Sequence, residues 1–260
     1  MIEVLKSQTI AQAWRDSVVA DVPPGELVLI TDFDGTLADV VPDPARAAAR
    51  PESLDALRRL VEVLADVIVL SSRTPSELEG LVPISGVRLI GDSGLALPRL
   101  AQKQALDQFN HDVSRLLERI PGTSLEAKPA SSAVHFRNSD ITAEEMIALL
   151  KPLLDGGRLA AALGRKVVEV HAPKAGKGSA LAALLPAVDP AGVVCLGDDE
   201  NDRTMFEYVG SVDYPHMSVG VDSPEAPKDL FHLCDVVVWG PEEAAVFLQA
   251  IVEWANSAPG

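Results

Sequence analysis

The chain has 260 residues, of which 38 are acidic and 22 are basic, so its formal net charge at pH 7 is -16. A nucleic-acid partner needs clustered positive charge, so this balance argues against one, whereas a small phosphorylated substrate held by a local cation is compatible with it. Hydrophobic residues make up 47% of the chain, yet no apolar run is long enough to span a bilayer, so we expect a soluble protein with no membrane partner.

The first residues, MIEVLKSQTIAQAWRDSVV, place charged residues among the apolar ones. This mixture predicts an amphipathic helix rather than a secretory signal. Cys195 and Cys234 are the only cysteines, and Cys195 lies in an apolar run, so no disulfide framework is expected. We therefore predict a cytoplasmic protein, and its length favours two domains.

Residues 27–30 form an unbroken apolar run, which is typical of a buried parallel strand. Asp32 and Asp34 follow this run, and Gly35 allows a sharp turn. Two carboxylates at one strand end repel each other unless a cation lies between them, so the pair indicates a divalent metal. Asp-Gly also favours a hairpin, but the next segment, LADVVPDPARAAARP, is interrupted by prolines and predicts a loop.

The next elements form a parallel α/β unit. Ser71 follows its second strand, so its hydroxyl could bind a phosphate oxygen at the same sheet edge as the aspartates. A serine that begins a turn or caps a helix is the alternative. The predicted elements are a helix at 51–64, a strand at 66–70, a short helix at 75–81 and a strand at 87–90.

From about residue 101 the pattern changes to helix, strand, strand, helix, strand, strand. This order predicts a small α+β domain at 101–171, inserted into a parallel-sheet domain formed by 1–100 and 172–260. Its predicted elements are a helix at 106–119, strands at 124–128 and 133–137, a helix opened by a Thr142 and Glu145 capping box, and strands at 158–163 and 167–171.

The α/β pattern resumes at Lys177 in PKAGKGS. This segment lacks the phosphate-binding loop of kinases, because His171 stands at the first glycine position and Gly178 follows Lys177. A lysine at the amino end of a helix is unfavourable unless it serves an anionic site, although an exposed lysine is the alternative. The remaining elements are helices at 177–185, 206–209 and 242–255 and strands at 193–196, 217–221 and 235–239.

GDDENDR follows the strand at 193–196 and contains Asp198, Asp199 and Asp202. An acidic helix start is the alternative interpretation. A calcium loop is excluded because its glycine and distal glutamate are not at the required positions. Three buried strands would then bring oxygen ligands or a phosphate donor to one sheet edge, which favours a magnesium site.

Together, DFDGT, Ser71, Lys177 and GDDENDR resemble the motifs of the haloacid dehalogenase superfamily of phosphotransferases, in the same order. The resemblance implies an α/β fold, with a Rossmannoid parallel-sheet core and an inserted α+β cap of the αββαββ, C2 type. It implies that Asp32 is a nucleophile forming an aspartyl phosphate and that Asp34 is the general acid and base. Ser71 and Lys177 would then hold the phosphoryl oxygens.

The same resemblance implies a set of metal ligands. Asp198 would bind Mg²⁺ together with Asp32 and the Asp34 carbonyl, while Asp199 and Asp202 would bind its waters or orient Lys177. The metal set predicted from the sequence is therefore Asp32, Asp34, Asp198, Asp199 and Asp202.

The segments EAKPASSAVHFR and VVEVHAPKAGKG, with SSR and GDD, further resemble trehalose-6-phosphate phosphatases. This likeness implies that Arg73 binds substrate and that three residues of the inserted domain, Glu126, Lys128 and Glu169, bind sugar hydroxyls. Four residues depart from the family pattern. Ser93 and Ala96 stand at its His and Glu positions, and Asn201 and Arg203 stand at its Thr and Glu positions.

The resemblance implies a Mg²⁺-dependent phosphatase acting on trehalose 6-phosphate. One alternative is a phosphatase of another disaccharide or pseudo-disaccharide phosphate. Another is a catalytically silent module partnered with a glycosyltransferase, although such a module would not need the complete set Asp32, Asp34, Ser71, Lys177 and Asp198. A glycosyltransferase that makes the phosphorylated disaccharide is the expected functional partner.

Overall fold

The computed structural model describes residues 7–94, 97–127, 131–154, 159–164, 166–171 and 176–257. The chain clusters into two compact units, one formed by Met1–Leu95 with Gly176–Gly260 and the other by Ala96–Ala175. Among the helices of these described ranges, none combines the length and the apolar character needed to cross a membrane.

Strands and helices are numbered along the chain. The strands are β1 Leu27–Thr31, β2 Asp66–Leu70, β3 Arg88–Ile90, β4 Ser124–Ala127, β5 Ser131–His135, β6 Ala160–Gly164, β7 Val167–His171, β8 Gly192–Gly197, β9 His216–Asp222 and β10 Val236–Trp239. The helices are α1 Ser7–Arg15, α2 Pro51–Leu60, α3 Pro75–Leu81, α4 Leu97–Leu117, α5 Ala143–Leu150, α6 Lys177–Val188, α7 Arg203–Val209 and α8 Gly240–Ser257.

The first unit contains a parallel sheet with the strand order β10-β9-β8-β1-β2-β3. Every residue of β1 is buried, as expected for a central strand covered on both faces. Leu27 and Leu29 point to the same face and join the cluster that includes residues of α1, α2 and α8. In that cluster, Trp14 makes edge contacts with Phe247 at 5.9 Å and Trp254 at 5.1 Å between ring centroids.

The second unit contains an antiparallel sheet in the order β4-β5-β7-β6. Val134 and Val168 are fully buried and cluster with Phe109 of α4, which places α4 on one face of this sheet. At the start of α5, Glu145 N donates to Thr142 Oγ1 at 3.2 Å, while Thr142 N donates to Glu145 Oε2 at 2.9 Å. This is the predicted capping box. The parallel sheet and the separate αββαββ unit confirm the predicted fold class.

Four predicted helix boundaries are wrong by three or more residues. Two of these errors are of three residues, since α6 ends at Val188 instead of residue 185 and α7 begins at Arg203 instead of residue 206. α4 begins at Leu97 instead of residue 106, because LPRLAQKQA lacks the regular apolar spacing on which the prediction rested. α2 ends at Leu60 instead of residue 64, because the N–H groups of Glu62 and Val63 donate to the carbonyls three residues earlier, which makes a tighter turn than an α-helix. The predicted strand ends lie within two residues of the observed ones, an ordinary margin at element ends.

Candidate active site

Three neighbouring strands bring the predicted catalytic residues to one edge of the parallel sheet. Asp32 follows β1, Ser71 follows β2 and Asp198 follows β8. β1 lies between the other two, with Thr31 opposite Val69 on one side and Leu196 on the other. The carboxyl ends of the three strands are therefore level, and this is the edge at which open α/β sheets bind ligands.

Lys177 lies at the centre of a buried charge network. Its Nζ donates to Asp32 Oδ1 at 2.7 Å and to Asp202 Oδ1 at 2.6 Å, and its side chain is fully buried. Burial alone would lower the pKa of Lys177, but the charges of Asp202 and Asp32 outweigh this effect and raise the pKa above its ordinary value. Lys177 is therefore a charged ammonium held in one position by two carboxylates. The alternative interpretation, an exposed surface lysine, is wrong.

Asp202 orients both Lys177 and the loop after β8. Besides accepting from Lys177, its second oxygen accepts from Asp198 N at 3.0 Å and from Asp199 N at 3.2 Å. A Cβ at Gly197 would lie 2.5 Å from Asp202 Cγ, so only a glycine permits this close approach. Both Asp202 oxygens are thus engaged with groups of the protein.

Thr204 supports this network through a contact that the sequence patterns did not predict. Gly178 N donates to Thr204 Oγ1 at 3.1 Å, and a Cβ at Gly178 would lie 2.1 Å from Thr204 O. This close contact joins the start of α6 to α7, so it fixes the backbone beside Lys177. In the sequence, the glycine directly after Lys177 is the feature that could have indicated this close contact.

The carboxylates fit a hard divalent cation. One ligand atom from each of Asp32, Asp198 and Asp202 lies within 4.8 Å of the others. Within the described ranges, Asp198 Oδ1 is buried without a hydrogen-bond partner. Gly35 has φ +73, and a Cβ there would lie 1.9 Å from Asp198 Oδ2, so the turn leaves space only for this carboxylate. An all-oxygen donor set of this kind suits Mg²⁺.

The pKa values of the two candidate ligands, Asp198 and Asp32, are compatible with a cation at this site. Burial, with the nearby charges of Asp32 and Asp202, raises the pKa of Asp198 to about 8. Burial also raises the pKa of Asp32, while the Lys177 ammonium partly opposes the increase. A bound cation would favour the ionised form of both carboxylates.

Asp34 has a different environment from Asp32. Arg73 donates from Nε to Asp34 Oδ2 and from Nη2 to Asp34 Oδ1, both at 2.7 Å, in a bidentate pair. The Asp34 side chain is 36% exposed, and the Arg73 guanidinium lies 5.3 Å from the centroid of the Phe33 ring. The sequence did not predict this pair, which connects residues 39 positions apart.

The loop that carries Ser71 and Arg73 is hydrogen-bonded to the segment after β3. Ser93 N donates to Ser71 O at 2.8 Å, and Asp92 N donates to Arg73 O at 2.7 Å. Asp92 and Ser93 both have left-handed backbone conformations, with φ of 52 and 53. Ser71 is buried and accepts from Arg73 N rather than capping α3, whose cap is Thr74. Ala96 lies outside the described residues.

Asp199 caps the start of a helical turn, as the alternative interpretation of GDDENDR predicted. Its side chain accepts from Glu200 N at 2.6 Å at the beginning of a 3₁₀ turn, and the residue is exposed. Arg203 pairs with Glu200 at 2.6 Å and with Asp229 at 2.7 Å. The metal-water role of Asp199 stays a prediction.

Two predicted sugar ligands share one face of the sheet in the second unit. Glu126 of β4 and Glu169 of β7 are both paired with Ala133 of β5. These three residues form a row across the strands, so their side chains point to the same side of the sheet. Glu126 and Glu169 are exposed, and Glu126 Oε2 lies 3.0 Å from His135 Nε2. Lys128 lies outside the described residues.

Comparisons with known proteins identify related sequences and a related fold. The family model for trehalose-phosphatase matches residues 30–229. A bifunctional trehalose-6-phosphate synthase/phosphatase of Thermoproteus tenax is 31% identical over 195 residues, covering 69% of this chain and 27% of that protein. A trehalose-phosphate phosphatase of Mycobacterium tuberculosis is 27% identical over 268 residues, covering 96% of this chain and 66% of that protein.

Among solved structures, trehalose-6-phosphate phosphatase of Aspergillus fumigatus superposes with a TM-score of 0.55 at 21% identity. The superposition covers 99% of this chain and 100% of that one, and it shows a common fold. The family model covers well over half of the chain, so the resemblance found in the sequence is confirmed, and the chain belongs to the trehalose-phosphatase family.

Proposed function

We propose that this protein is a Mg²⁺-dependent phosphatase that hydrolyses trehalose 6-phosphate to trehalose and phosphate through an aspartyl-phosphate intermediate. The main support is the buried arrangement in which Lys177 fixes Asp32 beside Asp198, whose Oδ1 lacks a partner in the described part of the chain. Family membership supports a phosphoric monoester hydrolase. Family membership does not by itself identify the substrate or the metal, and both are part of the proposal.

In the first step, a carboxylate oxygen of Asp32 attacks phosphorus, and the bond to the sugar oxygen breaks while Asp34 protonates the leaving alcohol. In the second step, Asp34 takes a proton from water, which attacks the same phosphorus and releases phosphate and the Asp32 carboxylate. The Lys177 ammonium and the Ser71 hydroxyl would stabilise the phosphoryl oxygens. Asp32, Asp198 and the Asp34 carbonyl would hold Mg²⁺, whose positive charge would neutralise negative charge on the transferred group.

The ion pair between Arg73 and Asp34 must open before Asp34 can act in this mechanism. Both oxygens of Asp34 accept from Arg73, so neither oxygen is available to the leaving alcohol or to water while the bidentate pair is intact. A phosphate ester offers the guanidinium an equivalent bidentate partner. We therefore assign Arg73 to substrate binding, and its transfer from Asp34 to the phosphate would release Asp34 for acid and base catalysis.

We assign the chemistry to the first unit, as the catalytic core, and the choice of sugar to the second unit, as the inserted specificity domain. The row formed by Glu126 and Glu169 offers exposed carboxylate acceptors for sugar hydroxyls, and Lys128 would add a donor. Replacing Glu169 by alanine should reduce kcat/KM on the disaccharide phosphate more than on p-nitrophenyl phosphate. Equal losses on both substrates would contradict the assignment.

Another disaccharide or pseudo-disaccharide phosphate is the second candidate substrate, because Ser93 and Ala96 depart from the family pattern. A glycosyltransferase that makes the phosphorylated disaccharide is the proposed functional partner, in the cytoplasm. The Thermoproteus tenax relative is named as a bifunctional synthase and phosphatase, which supports this pairing.

The decisive experiment measures phosphate release from a panel of sugar phosphates, with Mg²⁺ and with EDTA. The panel contains trehalose 6-phosphate, sucrose 6-phosphate, glucose 6-phosphate and p-nitrophenyl phosphate. We expect Mg²⁺-dependent turnover with kcat/KM for trehalose 6-phosphate at least about tenfold above glucose 6-phosphate. Preference for another disaccharide phosphate would change the substrate but not the reaction class. No release from any member of the panel would favour the silent module.

A further inference from the structure

A cavity of about 460 Å³ lies in the first unit, at the carboxyl ends of β1, β9 and β10. Its volume is in the range of sites that hold small molecules, roughly 300–1,000 Å³. Gly35, next to Asp34, lines one side of it, whereas Asp32 and Asp198 do not line it. The cavity therefore adjoins the proposed catalytic carboxylates and is distinct from them.

The cavity contains two strongly exposed apolar side chains. Trp239, the last residue of β10, is 49% exposed, and Val40 in the loop after β1 is 61% exposed. Trp239 N donates to Glu243 Oε2 at 2.6 Å, so the backbone that carries the indole is fixed at the start of α8. A large indole surface left in contact with water is unfavourable, and a ligand that covered it would gain apolar burial.

The polar lining provides acceptors rather than cations. Asp39, Asp222 and Glu225 line the cavity, and no lysine or arginine does so among its described lining residues. Asp39 pairs with Arg50 at 3.0 Å, and Asp222 pairs with Lys228. An anionic ligand would meet these carboxylates without a free cation to compensate, so the lining disfavours phosphates and carboxylates.

A cationic ligand is also disfavoured at the indole. Lys228 Nζ already lies 5.8 Å from the centroid of the Trp239 ring and 6.0 Å from that of Phe231. An ammonium ligand would therefore meet a like charge beside the ring. A neutral polyol avoids both conflicts. One face of a pyranose ring presents C–H groups suited to an indole, and the hydroxyls at its rim donate to carboxylates.

We propose that this cavity is a binding site for an unphosphorylated sugar, in which a pyranose face packs on Trp239 while its hydroxyls donate to Glu225 and Asp39. The choice of disaccharide rests on the proposed function, since the product of that reaction would be trehalose. Binding itself requires neither Mg²⁺ nor phosphate transfer, so it can be tested without turnover.

The test follows the indole N–H resonances of the ¹⁵N-labelled protein in EDTA while trehalose is added to about 50 mM, enough to saturate a millimolar site. The chain has three tryptophans, and two of them are internal controls. Trp14 is fully buried, and Trp254 Nε1 donates to Ala20 O at 3.0 Å. Trp239→Phe assigns the third resonance.

We expect the Trp239 resonance to move saturably while the other two stay in place. Glu225→Gln should weaken binding by about tenfold, because the sugar hydroxyl would then donate to a neutral amide oxygen instead of a charged carboxylate. Val18→Ala, a change at an apolar side chain that is 63% exposed and does not line the cavity, should leave binding unchanged.

A Trp239 resonance that does not move, or that moves linearly together with the other two, would overturn the proposal. A larger response to tetramethylammonium than to trehalose would overturn it in favour of a cation site. Phosphate release by the parent protein is measured separately, so sugar binding and the proposed hydrolysis can succeed or fail independently.

Discussion

Replacing Asp202 by asparagine should destabilise the first unit strongly, although the side-chain shape hardly changes. Asp202 and Lys177 are both fully buried. One Asp202 oxygen accepts from Lys177 Nζ, and the other accepts from Asp198 N and Asp199 N. An amide supplies a single oxygen, so in either orientation its NH₂ group would face a donor. Among the described residues, the substitution also leaves Lys177 with Asp32 as its one carboxylate partner.

Breaking a buried ion pair by removing one partner costs about 3–5 kcal/mol, and we expect the lower end because Asp32 is retained. A loss of about 3 kcal/mol lowers Tm by roughly 6–12 °C in a unit of this size, at about 2–4 °C per kcal/mol. Thermal unfolding in EDTA, followed by circular dichroism, measures this change without a contribution from bound metal.

Asp199→Asn is the matched control, because it makes the same chemical change three residues away at an exposed position. It should change Tm by no more than about 2 °C. If both variants unfold within about 2 °C of each other, Asp202 does not organise the buried network, and the reasoning from its contacts is wrong.

Three other predictions test the proposed chemistry. Asp32→Asn should remain folded but lose at least about 10³-fold in kcat, and turnover within tenfold of the parent would refute the nucleophile role. Arg73→Ala should raise KM for sugar phosphates while relieving the pair with Asp34, so kcat should fall less than KM rises; an unchanged KM would contradict phosphate binding by Arg73. Folding raises the pKa of Asp198 from 3.8 to about 8, so the folded state holds a proton on this carboxyl that the unfolded state loses above about pH 3.8. This contribution to stability is complete below pH 3.8 and is lost as pH rises through about 8. In EDTA, Tm should therefore decrease as pH rises from about 3.8 to 8, and saturating Mg²⁺ should remove the decrease; an equal pH dependence with and without Mg²⁺ would exclude Asp198 as a ligand.

The sequence predicts the strands of the first unit well because their environment is simple. β1 is covered on both faces, so its sequence is an unbroken apolar run that stands out without knowledge of its neighbours. Its register with β2 and β8 then makes the strand ends level. Asp32, Ser71 and Asp198 could be placed at one sheet edge from this pattern alone.

The differences among the aspartates of GDDENDR could not be predicted in the same way. Asp198 and Asp202 are buried, whereas Asp199 is exposed. Their burial depends on how the loop turns after β8, which in turn depends on the close contact between Gly197 and Asp202. An acidic composition supports a metal site and a helix start equally, and only the three-dimensional contacts separate the two.

The environments of Asp32 and Asp34 give a physical reason for their different proposed roles. Asp32 is buried and lies against a lysine that is itself fixed by Asp202, so its carboxylate is held in one position. Asp34 is 36% exposed and pairs with an arginine that can exchange this carboxylate for another anion. A nucleophile benefits from a fixed position, because in-line attack tolerates little displacement. A group that must donate and then accept a proton needs a partner that can leave, and pairs of carboxyl groups separated by environment in this way are typical of acid and base catalysis.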